Sequence, residues 1–191
     1  MNWIPDYKYI LASKSPRRQE LLKSLGIDFE VKTEEVDESY PMDLSPNKIP
    51  EYLAEKKAGA FSDELKAFEL LITADTIVIL NDQVLEKPTD YDHAFTMLKA
   101  LSGKMHQVIT GVCLSSVKKS VAFSSLTNVL FKELTEMEIE YYIKNFKPFD
   151  KAGAYGIQEW IGSIGITHIE GSFYNVMGLP LQKLYEEIQK F

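Results

Sequence analysis

One cysteine, Cys113, and three histidines are all the thiol and imidazole that this 191-residue chain contains. A single thiol excludes an internal disulfide and suits a reducing compartment. His93 and His168 stand at no metal-ligand spacing, His106 lacks a local partner, and no Ser/His/Asp arrangement can be drawn. No apolar run approaches ~20 residues and no cationic leader with an apolar core opens the chain. Neither a membrane span nor export is therefore expected, and the expected location is cytoplasmic. Glycine patterns of the Walker or dinucleotide kind are missing, which excludes the usual phosphate loops. Repeats and low-complexity linkers are missing too.

Basic residues are in deficit. The net charge of −7 argues against a general nucleic-acid binder, because affinity for a phosphate backbone needs a basic surface. Basic side chains gathered at one place can still grip a small polyphosphate. Apolar content of 45% and aromatic content of 12% are ordinary for a folded protein. The length allows one large domain or two small lobes.

The chain alternates strand and helix, which predicts a mixed α/β fold. Residues 9–12 read as a strand. Ser15 is a natural N-cap, Pro16 suits the first helical position, and Gly26 closes the helix. A short strand at 29–31 precedes an acidic stretch, residues 34–38. Ser45-Pro46 opens a second helix to about Phe61, with Pro50 delaying its start. Residues 70–80 form a strand-like run that turns at Asn81-Asp82 and returns through Val84 and Leu85. Helical spacing from Ala94 to Leu101 ends at Gly103. Strands follow at 106–114 and 121–131, and Thr135 with Glu138 forms a capping box before a further helix. A Gly-rich segment spans 151–165, and Pro180 opens the last helix.

Several places carry chemistry. The turn from strand to helix at residues 11–20 brings hydroxyls, free backbone N–H groups, the positive helix end and the adjacent Arg17 and Arg18 together, a pattern suited to an anion. Asp75 lies inside an otherwise apolar strand, where a carboxylate needs a cation, a metal or hydrogen-bond donors; a bulge that turns it to water is the other reading. The Asp37-Glu38 pair offers a second carboxylate for a hard divalent ion. Small residues surround Tyr155 in residues 150–158 and end on the Gln158 amide, which suits either a base edge or a tight structural loop. Lys87, after the turn, is a phosphate contact or a solvated lysine. Helical spacing does not decide which of Lys56 and Lys57 faces inward.

Seven segments in order, LASKSPRRQELL, VDES, LAEKKA, ADTIVILNDQVLEKP, LSGKMHQVITGV, DKAGAYGIQ and GSFYNVMGLPL, resemble the Maf family of nucleoside triphosphate pyrophosphatases from Ile10 to Leu184. The resemblance implies a single Maf-type domain over residues 1–191. It also implies a mixed sheet with flanking helices, and two lobes around a nucleotide-binding cleft in the manner of inosine triphosphatases, often as a homodimer. The reaction implied is hydrolysis between the α- and β-phosphates, giving a nucleoside monophosphate and pyrophosphate. The family's phosphate-binding motif falls on Ser13, Ser15 and Arg18, its lysines on Lys57 and Lys87, and its proton acceptor on Asp75. A divalent cation, Mg²⁺ or Mn²⁺, is implied, with Glu38 and Asp75 as its carboxylates. Arg17, Thr76 and Gln158 match the branch acting on dTTP and UTP, not the one acting on 7-methyl-GTP. The chain departs from the family at Thr73-Ala74, and at Glu159-Trp160, where a glycine is typical. Two alternatives stand beside this expectation: a pyrophosphatase for modified purine nucleotides such as 7-methyl-GTP, and a non-catalytic nucleotide-binding regulator of cell division.

Overall fold

The computed structural model describes residues 4–191. Among the described residues seven strands and seven α-helices follow in the order β1 (Lys8–Leu11), α1 (Pro16–Ser24), β2 (Phe29–Val31), α2 (Ile49–Gly59), β3 (Glu69–Leu80), β4 (Gln83–Leu85), α3 (Tyr91–Leu101), β5 (Met105–Ser115), β6 (Ser120–Phe131), α4 (Glu136–Phe146), α5 (Trp160–Gly165), β7 (Ile166–Glu170), α6 (Phe173–Met177) and α7 (Leu181–Ile188). Hydrogen-bonded neighbours follow the order β2-β1-β3-β5-β6-β7, with β4 attached to β3. Parallel and antiparallel pairs both occur, so the sheet is mixed, as expected. The described chain forms two compact units. One comprises residues up to Asp75 with Thr110–Ser125 and Gly178–Phe191; the other comprises Thr76–Ile109 and Leu126–Met177.

Within the first unit β1 pairs in parallel with both β2 and the first part of β3. Parallel strands are usually buried on both faces, and here Tyr9, Ile10, Leu11, Leu70, Leu71 and Ile72 are. The local signals at α1 act as read. Ser15 has extended φ/ψ and its side chain accepts from the Arg18 N–H, and Gly26 follows the C-cap Leu25 with φ 72°. A 3₁₀ turn over Pro46–Lys48 precedes α2, which accounts for the delayed helix start. Ile10, Ala54, Ala58, Phe61, Leu71 and Cys113 form the core beneath α2.

The second unit has its own core, including Val78, Leu98, Leu101, Phe131, Tyr142 and Ile161. Asn81 and Asp82 take φ of 50° and 62°, the left-handed pair that a two-residue hairpin requires, and β4 returns antiparallel on β3. The Thr135–Glu138 capping box starts α4. His106 is a core residue: it hydrogen-bonds the Tyr155 hydroxyl at 2.7 Å, stacks on Phe131, and burial pushes it down to about 4. The segment read only as Gly-rich holds α5, and β7 and α6 follow it. β7 is a half-exposed five-residue strand whose register is set by antiparallel pairing with β6, with a shift between Leu130 and Phe131. Partners so distant in sequence leave little local trace.

Gly111 on β5 seats the start of α2. A Cβ there would stand 2.2 Å from the Pro50 carbonyl carbon and 2.3 Å from the Glu51 nitrogen, and backbone cannot swing aside as a side chain can. Gly111→Ala is therefore expected to lower the unfolding free energy by at least about 2 kcal/mol. Urea denaturation would read this as a lower midpoint at unchanged slope.

Candidate active site

The turn between β1 and α1 is organised by its own side chains. The buried Ser13 hydroxyl accepts from the Ser15 N–H at 3.2 Å, and Gln19 Nε2 donates to the Ser13 carbonyl at 3.3 Å. Arg17, half-buried on the first helical turn, and Arg18 project from successive positions. Arg18 is tied down by two backbone carbonyls: Nε donates to Gly178 at 2.8 Å and Nη1 to Ala74 at 2.9 Å. Burial lowers its guanidinium pKa, the charges of Asp75 and Glu38 oppose that, and Arg17 adds to it. The Gly178 contact could not be read from sequence, because 160 residues separate the partners.

Asp75 meets a cation, which is what a carboxylate within an apolar strand requires. Lys57 Nζ lies 2.6 Å from Asp75 Oδ1 and 2.7 Å from Glu38 Oε1. The side chains of Lys57 and Asp75 are 17% and 13% exposed, whereas Glu38 is half open to water at 51%. The strand continues through Asp75 without interruption from Glu69 to Leu80. Lys56, next on the helix and about 100° round it, goes elsewhere. Its Nζ donates to Asp37 Oδ2 at 3.2 Å, the Ser39 carbonyl at 2.8 Å and the Ser39 hydroxyl at 3.3 Å. The ambiguity between the two lysines thus resolves into a division of labour. Lys57 reaches the strand carboxylate and Lys56 clamps the acidic loop that presents Glu38.

Ser13, Ser15, Arg17, Arg18, Glu38, Lys57 and Asp75 all belong to the first unit, and Arg18, Glu38, Lys57 and Asp75 form one electrostatic cluster. Thr76, Lys87 and Gln158 belong to the second. There Thr76 is half-buried on β3, Lys87 is exposed after β4, and Gln158 is exposed on the segment before α5. The Gly153 N–H donates to the Glu86 carbonyl at 3.2 Å, which ties the segment of Lys87 to residues 150–158. Among the described residues no cluster of three or more His, Cys, Asp or Glu side chains suits a metal. The cluster does bring two carboxylates onto one cation, the Lys57 ammonium, and two hard oxygen donors are what a Mg²⁺-type ion takes when water and substrate phosphate complete its shell.

The hydroxyl and N–H of Ser39, with Lys56 behind them, hold the Asp37 carboxyl down to about 2. A depressed carboxyl contributes stability that is fully present above its ordinary value of 3.8 and is lost as pH falls through about 2. The acidic loop should therefore stay clamped to α2 until pH falls through this window. A carboxyl-carbon NMR titration should place the Asp37 midpoint near 2, and Ser39→Ala should return it toward 3.8. An ordinary midpoint in the unaltered protein would remove the clamp.

A family model described as Maf-like protein matches residues 8–191. A dTTP/UTP pyrophosphatase of Bacteroides thetaiotaomicron is 55% identical over 185 residues, 96% of each chain. One from Phocaeicola vulgatus is 56% identical over the same span and shares. One from Flavobacterium psychrophilum is 53% identical over 178 residues, 93% of this chain and 91% of that one. Among solved structures, the Staphylococcus aureus Ham1 protein superposes with a TM-score of 0.49 at 13% identity, over 65% of this chain and 71% of that one.

Proposed function

The chain belongs to the Maf family, and from that premise we propose that it hydrolyses dTTP and UTP to the nucleoside monophosphate and pyrophosphate. The observation that carries the reaction type is the Asp75–Lys57–Glu38 cluster beside Arg18. The base preference rests on relatives above 50% identity that bear the name dTTP/UTP pyrophosphatase, and on Arg17, Thr76 and Gln158. The family match, unbroken from residue 8 to 191, supports one functional domain. No described helix is long and apolar enough to cross a membrane.

In this reading Asp75 accepts the proton of the water that attacks the α-phosphorus. A phosphorus–oxygen bond forms, the bond to the bridging oxygen breaks, and pyrophosphate leaves. Lys57 holds the Asp75 carboxylate by Oδ1 and so fixes its direction. Glu38 and Asp75 are the residues that would hold Mg²⁺ or Mn²⁺, which when bound supplies charge neutralisation and a more acidic water. Ser13, Ser15 and Arg18 contribute hydrogen-bond donors and positive charge to the phosphates, and Lys87 adds a further ammonium, where fixed charges act most strongly on the transition state. Arg17, Thr76 and Gln158 recognise the base, since an amide carries the donor and acceptor that a pyrimidine edge can pair with.

A panel of normal and modified triphosphates, assayed for pyrophosphate with Mg²⁺ and with Mn²⁺, tests the reading. dTTP and UTP should turn over much faster than dATP or GTP. A preference for 7-methyl-GTP would overturn the base assignment, and nucleotide binding without pyrophosphate release would overturn the enzyme. Asp75→Asn should lower kcat by about a hundredfold or more, the scale of a positioned base; near-normal kcat would remove Asp75 from that role. Arg18→Ala should weaken triphosphate binding and slow the chemistry together, by roughly 1.5–3 kcal/mol per charge-assisted hydrogen bond lost. It should also lower the melting temperature, because the Ala74 and Gly178 carbonyls lose their donor.

A further inference from the structure

Gln158 sits at the tip of a tight turn whose two ends are joined by one hydroxyl. The Glu159 N–H donates to the Gly156 carbonyl at 3.0 Å and closes the turn. Tyr142, buried on α4, accepts the Gly156 N–H at 3.0 Å and donates its own proton to Glu159 Oε2. The other carboxylate oxygen, Oε1, lies 3.2 Å from the ammonium of Lys151, whose side chain is 9% exposed and which also meets Asp150 Oδ1 at 2.7 Å. Burial and the adjacent Glu159 push the Tyr142 phenol far up, so it stays a donor across the working range of pH. The turn is closely packed. A Cβ on Gly156 would lie 2.9 Å from Glu159 Cδ and 3.0 Å from Gln158 Nε2, and one on Gly162 would meet the Ile157 carbonyl at 1.8 Å.

We propose that Tyr142 and Glu159 are positioning residues for base selectivity: together with Lys151 they lock the 156–159 turn and so fix where the Gln158 amide is presented. The proposal rests on Gln158 reading the base. Its physical content is entropic. An exposed glutamine on a loose loop would have to be ordered by each nucleotide, whereas a pinned turn leaves only side-chain rotation to be lost on binding. Glu159 stands where the family resemblance calls for glycine. A glycine could neither accept from Tyr142 nor pair with Lys151.

Steady-state kinetics on dTTP, UTP and dATP test the proposal. Tyr142→Phe keeps the ring but removes the hydroxyl that staples the turn. It should raise KM for dTTP and UTP by roughly 3- to 10-fold, the fold-change of one hydrogen bond, with a smaller change in kcat, and should compress the preference over dATP. Amide hydrogen exchange at Gly156 should quicken in the same variant. Glu159→Gln, which keeps an acceptor for Tyr142, should fall between the wild type and Glu159→Ala in base preference. Adding Gln158→Ala to Tyr142→Phe should cost less selectivity than Gln158→Ala alone. If Tyr142→Phe and Glu159→Ala leave the base ranking intact while Gln158→Ala erodes it, the positioning role is overturned and the Gln158 reading survives. If Gln158→Ala itself leaves the ranking intact, both are overturned. Should Tyr142→Phe fold poorly, the graded Glu159 pair decides alone.

Discussion

The Lys57 ammonium, held at 2.6 and 2.7 Å between Asp75 and Glu38, is the contact on which the candidate site depends. It answers the main electrostatic problem of the first unit, a carboxylate in the middle of an apolar strand. Removing a charge from water costs several kcal/mol unless a partner returns it, and removing one partner of a buried pair leaves the other stranded. Lys57 and Asp75 are both largely covered, so neither is a surface pair of the kind worth little. One ammonium thereby fixes a strand, a helix and an acidic loop to a common point, and Lys56 secures the loop from the other side.

The helix that delivers Lys57 is seated by contacts in a row. Gly111 makes room for the backbone at Pro50 and Glu51, Thr73 donates to the Ala54 carbonyl at 2.7 Å, and Asp75 binds Lys57. Positions 50, 54 and 57 lie on one face of α2, and positions 73 and 75 lie on one face of β3. Three helical residues advance about 4.5 Å and two strand residues about 6.6 Å, so a helix laid aslant on the strand can meet both points. Thr73 is thereby accounted for, since its hydroxyl satisfies a helix carbonyl two residues before Asp75.

What is legible in the sequence is what is decided locally. Ser15, Gly26, Asn81-Asp82, Gly103 and the Thr135–Glu138 box each fix backbone within a few residues, and the elements they bound can be read from them. Asp75 announces itself by being charged among apolar neighbours. Lys56 and Lys57 cannot be told apart in sequence because both stand at the margin of the apolar stripe of α2 formed by Ile49, Leu53, Ala54 and Ala58; contacts with Asp75 and the acidic loop separate them, and those partners lie 17 to 19 residues away. The elements α5 and β7 escape a sequence reading because α5 has no side-chain cap and the register of β7 is set by β6, far away in sequence. The role of Tyr142 is equally hidden, since a tyrosine on a helical apolar face looks like core until its hydroxyl is seen to bridge Gly156 and Glu159.

Arg18 and Lys57 are compensated in different ways, and the difference matters for a polyphosphate. Arg18 donates to two backbone carbonyl oxygens, which orient the guanidinium, and lies within reach of the charges of Asp75 and Glu38. Lys57 is held by two carboxylates, and the three groups together carry one net negative charge. With Arg18 included, that group of four is neutral. In the proposed reaction these four groups offer a triphosphate no net positive charge, and the two carboxylates are the donors that a divalent cation would use. The overall charge of −7 points the same way: in the proposed reaction, attraction for a triphosphate cannot come from the protein's general field and falls to local groups.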